Sequence, residues 1–249
     1  MPAPAARRLL FIFGTRPEAI KLAPVVAACS QTFDVRVCVT AQHREMLDQV
    51  LRIFSIEPHY DLNLMRPGQS LADTTARIVS GMSEVLDDAK PDFAIVQGDT
   101  TTTFAGALAA FYAGVRVAHV EAGLRTGDPR EPFPEEMNRV LTTRLASLHF
   151  APTERARRNL LNEGVAEDAV HVTGNTGIDA ILHTCRALDS GTAPRPEWPW
   201  LDTSKRLGIR LIVGRHGSHS SRMLTKLTEF TAFLGSLSRT IPPRSEWRQ

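Results

Sequence analysis

The chain has 249 residues, 43% hydrophobic and 22% charged, enough apolar material for one large α/β domain or a domain plus part of a second. Aromatic residues make up only 6%, which argues against base-stacking platforms for nucleic acid. Residues 206–249 hold eight Arg/Lys against two Asp/Glu, leaving the other 205 residues with 21 basic and 25 acidic side chains. A mildly acidic body is the wrong footprint for nucleic acid.

The elements follow in chain order. An apolar strand at 8–13 runs into Gly14-Thr15-Arg16-Pro17-Glu18, and a helix follows at 18–29 with Pro17 suited to its first position. A strand at 33–40 leads through Thr40-Ala41-Gln42-His43-Arg44 to a helix at 45–54. Ser70 and Asp73 have capping-box spacing ahead of a helix at 72–87. The strand at 93–97 opens into Gln97-Gly98-Asp99-Thr100-Thr101-Thr102 and a helix at 102–112. The strand at 116–120 ends on Glu121-Ala122-Gly123-Leu124-Arg125, with Pro132-Phe133-Pro134-Glu135-Glu136 and a helix at 135–145 beyond it. Strands at 149–151 and 170–172 precede helices at 154–162 and 178–188. Such strict alternation predicts an α/β fold, a doubly wound, Rossmann-like parallel sheet with right-handed crossovers.

Residues 1–190 read as that domain and 191–205 as a Pro- and Trp-rich linker. Residues 206–249 read as an aberrant, poorly ordered remnant of a second domain, because strand–helix alternation stops after 211–213. The apolar run at 9–13 is too short for a signal-peptide core or a membrane span. Cys29, Cys38 and Cys185 are odd in number and widely spaced in apolar stretches, as expected of buried free thiols in a reducing compartment. A cytoplasmic protein is expected.

Ligands of an open parallel sheet bind at the carboxyl ends of its strands, and the polar clusters fall there repeatedly. Arg16 and Lys21 would add cations to an anion-attracting helix start, or Arg16 could simply pair with Glu18. Asp99 could be a helix N-cap. Glu121 ends a buried strand, where burial would desolvate it. Glu135 and Glu136 could be first-turn acids that complement a helix dipole. His43 and His119 lie near the cleft edge, and the other histidines read as structural. Three carboxylates with an Arg/Lys pair point to proton transfer on an anionic substrate.

The stretches 13–21, 40–49, 97–102 and 119–127, together with Pro132-Phe133-Pro134-Glu135-Glu136-Met137-Asn138-Arg139 and Thr173-Gly174-Asn175-Thr176, closely resemble signatures of non-hydrolysing UDP-N-acetylglucosamine 2-epimerases. The resemblance runs from about Leu9 to Leu182. It implies the N-terminal half of a GT-B-type two-domain fold, with substrate between the domains. It also implies interconversion of UDP-N-acetylglucosamine and UDP-N-acetylmannosamine for polysaccharide biosynthesis, a homodimer, and neither a cofactor nor a metal. By motif, Arg16 and Lys21 would contact the nucleotide-sugar anion, and Asp99, Glu121 and Glu135 would be the catalytic carboxylates, with Asp99 and Glu121 also touching substrate. Gln42 and His43 would help hold a second, activating UDP-N-acetylglucosamine.

The family's chemistry eliminates UDP from C1 while a carboxylate takes the C2 proton, then re-protonates the 2-acetamidoglucal from the other face and returns UDP. The pattern departs from the family at Leu211-Ile212-Val213-Gly214-Arg215-His216, where relatives carry Gly-His-Arg-Arg-Glu after a strand. The expectation is therefore a truncated or frameshifted second domain and an inactive polypeptide. A GT-B glycosyltransferase, a hydrolysing epimerase and a non-enzymatic gene fragment stay open as alternatives.

Overall fold

The computed structural model describes residues 6–40, 44–64, 66 and 68–192. The expected remnant at 206–249, most of the 191–205 linker, and Gln42 and His43 lie outside them. In chain order the elements are β1 (Arg8–Phe13), α1 (Arg16–Cys29), β2 (Asp34–Val39), α2 (Arg44–Ile53), β3 (Tyr60–Asp61), α3 (Leu71–Ala89), β4 (Phe93–Gln97) and α4 (Thr101–Tyr112). There follow β5 (Arg116–Val120), α5 (Glu135–Leu145), β6 (Leu148–Ala151), α6 (Glu154–Asn162), a 3-10 turn (Glu167–Ala169), β7 (Val170–Val172) and α7 (Thr176–Asp189). All pairings are parallel, in the order β3-β2-β1-β4-β5-β6-β7. This is the doubly wound α/β sheet that the alternation predicts.

The apolar runs are continuous because both faces of a parallel sheet are covered. Along β1, Leu9, Phe11 and Phe13 pack with α1 and α2 through Leu22, Val25, Leu47 and Leu51. Leu10 and Ile12 point the other way, onto Ile78, Met82 and Leu86 of α3 and the alanines of α4. That split follows from the two-residue strand period. The five β1 side chains are each at most 1% exposed, and burying one contributes about 1.5–3 kcal/mol. A smaller cluster of Ala151, Ala156, Leu160 and Val170 seats α6.

Two local expectations change. Ser70 does cap α3, accepting from the Asp73 N–H, but its hydroxyl donates to the Asp73 carboxylate, so there is no return bond to the Ser70 backbone. The reciprocal box sits instead at α1, between Thr15 and Glu18. Cys29 and Cys38 are buried, and desolvation pushes both thiols up to about 12. Cys185 is exposed, contrary to expectation, because α7 buries Thr176, Asp179 and Ala180 and turns Cys185 outward.

The strand order reverses between β1 and β4, since β1 leads outward to β2 and β3 on one side and β4 to β5 on the other. Backbone bonds continue the ladder past the strand ends, from Thr40 N–H to the Phe13 carbonyl, Gly98 N–H to Val120, and Ala122 N–H to Phe150. Gly14, Gly98, Asp99 and Glu121 therefore share one edge, at the crevice where doubly wound sheets bind ligands.

Candidate active site

Glu121 is the first residue after β5 and has φ +64°, a left-handed conformation that costs a non-glycine residue roughly 1–2 kcal/mol. The turn aims its carboxylate back across the sheet edge. Lys21 Nζ lies 2.8 Å from Oε1 and 2.6 Å from Oε2, and Gln97 Nε2 donates to Oε2 at 2.8 Å. The Glu121 side chain is 15% exposed. The carboxylate expected at the end of a buried strand is partly buried and ion-paired, fixed from β4 and from α1.

Asp99 is not an N-cap; Thr100 caps α4 by accepting from the Thr103 N–H. The Asp99 Oδ2 accepts from Arg139 Nη2 at 2.6 Å and Nε at 2.9 Å. Arg139 also donates to Glu136 at 2.9 Å, whose other oxygen accepts the N–H groups of Thr126 and Gly127. Burial would raise Glu136, but the Gly127 and Thr126 amides and the Arg139 guanidinium hold it below the usual carboxylate range. Asn138 Nδ2 donates to the Asp99 carbonyl at 2.9 Å. The start of α5 is thereby tied to the Asp99 loop, and Glu135 sits there with Oε2 buried and without a hydrogen-bond partner among the described residues.

His119 is fully buried on β5, and Nε2 lies 2.7 Å from the Gly98 carbonyl. A carbonyl only accepts, so Nε2 carries the proton and Nδ1 is left without a donor. Desolvation lowers this imidazole to about 3. His119 is a neutral strut beneath the Asp99 loop.

Arg16 is exposed at the first position of α1 and pairs with no described residue. The alternative pairing with Glu18 is excluded by geometry. Glu18 is 1% exposed, and its carboxylate accepts from the amides of Gly14 and Thr15 and the hydroxyl of Thr100. Burial raises its pKa, with those hydrogen bonds working against the rise. Beneath it, Thr40 and Thr102 hydroxyls meet at 3.0 Å. A Cβ on Gly14 would lie 2.2 Å from Thr40 Oγ1 and 2.7 Å from Thr102 Oγ1. Gly14→Ala should therefore cost about 1–3 kcal/mol by overpacking, read as a lower urea midpoint.

Arg139→Met is expected to leave two half-buried or buried carboxylates without their cation, at a cost of about 3 kcal/mol. Urea unfolding checks the figure; an unchanged midpoint would show the network to be ornamental. Sequence reasoning did not single out Gln97 or Arg139, and it read Glu18 only as a partner for Arg16. Glu18 had a usable signal, since Thr15-x-x-Glu18 is a capping-box spacing. A cavity of about 520 Å³ beside α2, lined in part by Asp48, Arg52, Glu57 and Asp61, contains none of the candidate carboxylates.

The family described as UDP-N-acetylglucosamine 2-epimerase matches residues 27–206. A Ralstonia solanacearum protein described as a probable UDP-N-acetylglucosamine 2-epimerase is 59% identical over 75% of this chain and 50% of its own length. The UDP-N-acetylglucosamine 2-epimerase of Escherichia coli K12 is 54% identical over 80% of this chain and 55% of its own. The crystal structure of the Neisseria meningitidis UDP-GlcNAc 2-epimerase bound to UDP-GlcNAc superposes with TM-score 0.71 at 54% identity, covering 73% of this chain and 50% of that one. The chain thus spans about half the length of these relatives. With Arg16, Lys21, Asp99 and Glu121 at the edge where the sheet changes direction, this chain belongs to the UDP-N-acetylglucosamine 2-epimerase family.

Proposed function

We propose that residues 1–190 form one nucleotide-sugar-facing domain of a UDP-N-acetylglucosamine 2-epimerase and carry its acid/base groups. The observation that supports this best is the pair of carboxylates, Asp99 and Glu121, at the ends of adjacent strands and each anchored by a cation. The sugar C2–H has no neighbouring carbonyl, so direct deprotonation is out of reach. Breaking the C1–O bond, with its electron pair leaving on the diphosphate, develops positive charge at C1 and acidifies C2–H. One carboxylate takes that proton as the C1–C2 double bond forms. An acid on the other face returns a proton to C2, and a UDP oxygen re-adds at C1. Asp99, Glu121 and Glu135 are the proposed acid/base set.

Arg16, exposed and unpaired among the described residues, is the proposed contact for the diphosphate. Lys21 is engaged with Glu121, and its ammonium keeps a further donor for substrate. Gln42 and His43 remain proposed contacts of an activating second nucleotide sugar. Among the described residues no helix is long and apolar enough to cross a membrane, consistent with the cytoplasmic location we propose. A second copy of the chain would have apolar surface to cover at Phe111 and Tyr112, exposed side by side with tilted rings at the end of α4.

The test is incubation of a full-length epimerase that carries this domain with UDP-N-acetylglucosamine in D₂O. Epimer carrying deuterium at C2 supports the proposal. Free N-acetylmannosamine would indicate the hydrolysing reaction, and transfer to an acceptor a glycosyltransferase. Nucleotide binding with neither epimer nor C2 exchange would overturn it.

A further inference from the structure

The start of α1, a ready anion site in many doubly wound folds, is already filled by an anion of the chain's own. Glu18 Oε2 accepts from Gly14 N at 3.0 Å and Thr15 N at 2.7 Å. Its Oε1 accepts from the Thr100 hydroxyl at 2.6 Å and lies 3.1 Å from the Thr103 hydroxyl, whose proton is shared with the Gln97 carbonyl at 2.6 Å. One carboxylate therefore closes the starts of α1 and α4 onto each other across the switch point. At 1% exposure it is out of reach of any ligand. Burial disfavours a carboxylate here, and the two backbone amides and the Thr100 hydroxyl are the groups that offset that cost.

We propose that Glu18 is a positioning residue: its buried carboxylate sets the separation between the cations of α1, Arg16 and Lys21, and the carboxylates Asp99 and Glu121 that follow β4 and β5. A second consequence follows from the same bonds. The Gly14 and Thr15 amides are occupied, so a bound diphosphate is held by side chains, Arg16 foremost, and not by the glycine-loop backbone. The inference rests on the epimerase reading for its ligand, but the clamp itself does not.

The experiment compares wild type, Glu18→Gln, Glu18→Asp and Glu18→Ala in the full chain, with UDP as the probe. Amide hydrogen exchange reports the clamp, and calorimetry reports UDP affinity. In Glu18→Gln the amide oxygen still accepts from both backbone groups, and the Thr100 hydroxyl can turn to accept from its NH₂. That variant should keep wild-type protection and UDP affinity within about threefold. Glu18→Asp keeps the charge but loses a methylene of reach. It should exchange Gly14 and Thr15 amides about tenfold faster and bind UDP about tenfold more weakly, as should Glu18→Ala. Should Glu18→Ala not fold, the Asp and Gln variants carry the comparison. Unchanged exchange in Glu18→Asp overturns the clamp. Faster exchange with unchanged UDP affinity overturns the positioning role. A wild-type chain that binds no UDP counts against the epimerase reading and against any positioning of UDP ligands, while exchange alone still decides whether the clamp exists.

Discussion

Glu121→Gln, introduced into an active epimerase that carries this domain, should slow C2 deuterium incorporation by about 10²–10⁴, the usual contribution of a positioned acid/base group. Nucleotide-sugar affinity should change far less. The amide matches the carboxylate in shape but cannot accept the proton. The structure sharpens this expectation, because Glu121 is held by Lys21 on both oxygens and by Gln97 on one. An amide NH₂ facing Lys21 Nζ or Gln97 Nε2 would oppose donor to donor, so the new side chain should also lose its fixed aim. Gln97→Leu provides the control: it keeps the Glu121 carboxylate and removes one of its supports, and should cost less than Glu121→Gln. Wild-type C2 exchange in Glu121→Gln would remove this residue from the proton path and leave Asp99 and Glu135 as the candidates.

Nearly all of the fold was legible in the sequence, because parallel strands buried on both faces and amphipathic helices write different periods. The exception is β3, Tyr60–Asp61, whose two residues are too short to show any period. The placement of Asp99 and Glu121 on one edge was also legible, since strand ends in an alternating fold share an edge. What holds them was not. The Arg139–Asp99 pair joins residues 40 apart in sequence, and Lys21–Glu121 joins residues 100 apart. No local pattern encodes such contacts. Asp99 illustrates the ambiguity: beside a run of threonines a carboxylate looks like a cap, and only the folded chain shows Thr100 in that role and Asp99 turned toward α5. Glu18 looked like a surface partner for Arg16, yet it is among the most buried charged groups described.

Acid should start to destabilise this domain above the range in which ordinary carboxylates titrate. His119 and His149 face each other on β5 and β6 in register, and they are 0% and 2% exposed. Desolvation lowers His119 to about 3 and His149 to about 4, despite the hydrogen bonds each makes to backbone at Gly98 and Ala146. The neighbouring Arg125 and Arg139 guanidinium groups oppose a positive charge on His119; Arg125 does the same for His149, partly offset by Glu163. In the unfolded chain both rings titrate near 6.5, so below that value the unfolded state binds more protons than the native one. Their contribution is intact above about pH 6.5 and is lost as pH falls toward the folded values, by about 1.4 kcal/mol per pH unit for each ring. The pair together should remove on the order of 5 kcal/mol between pH 6.5 and 4, a large share of the stability of a typical domain. Glu136 adds to the loss only at lower pH, because its folded value is held below the ordinary carboxylate range, and Glu18, raised by burial, acts in the opposite sense. Urea unfolding at pH 7, 6 and 5 isolates the histidine window. His149→Phe should reduce the slope there, and His119→Asn, which can keep the donor to the Gly98 carbonyl, should reduce it again, while His59 and His171, also lowered by burial, retain part of it. Flat stability between pH 6.5 and 5 would mean that both rings reach water or a proton acceptor in the native state, and the buried neutral strut beneath the Asp99 loop would have to be abandoned.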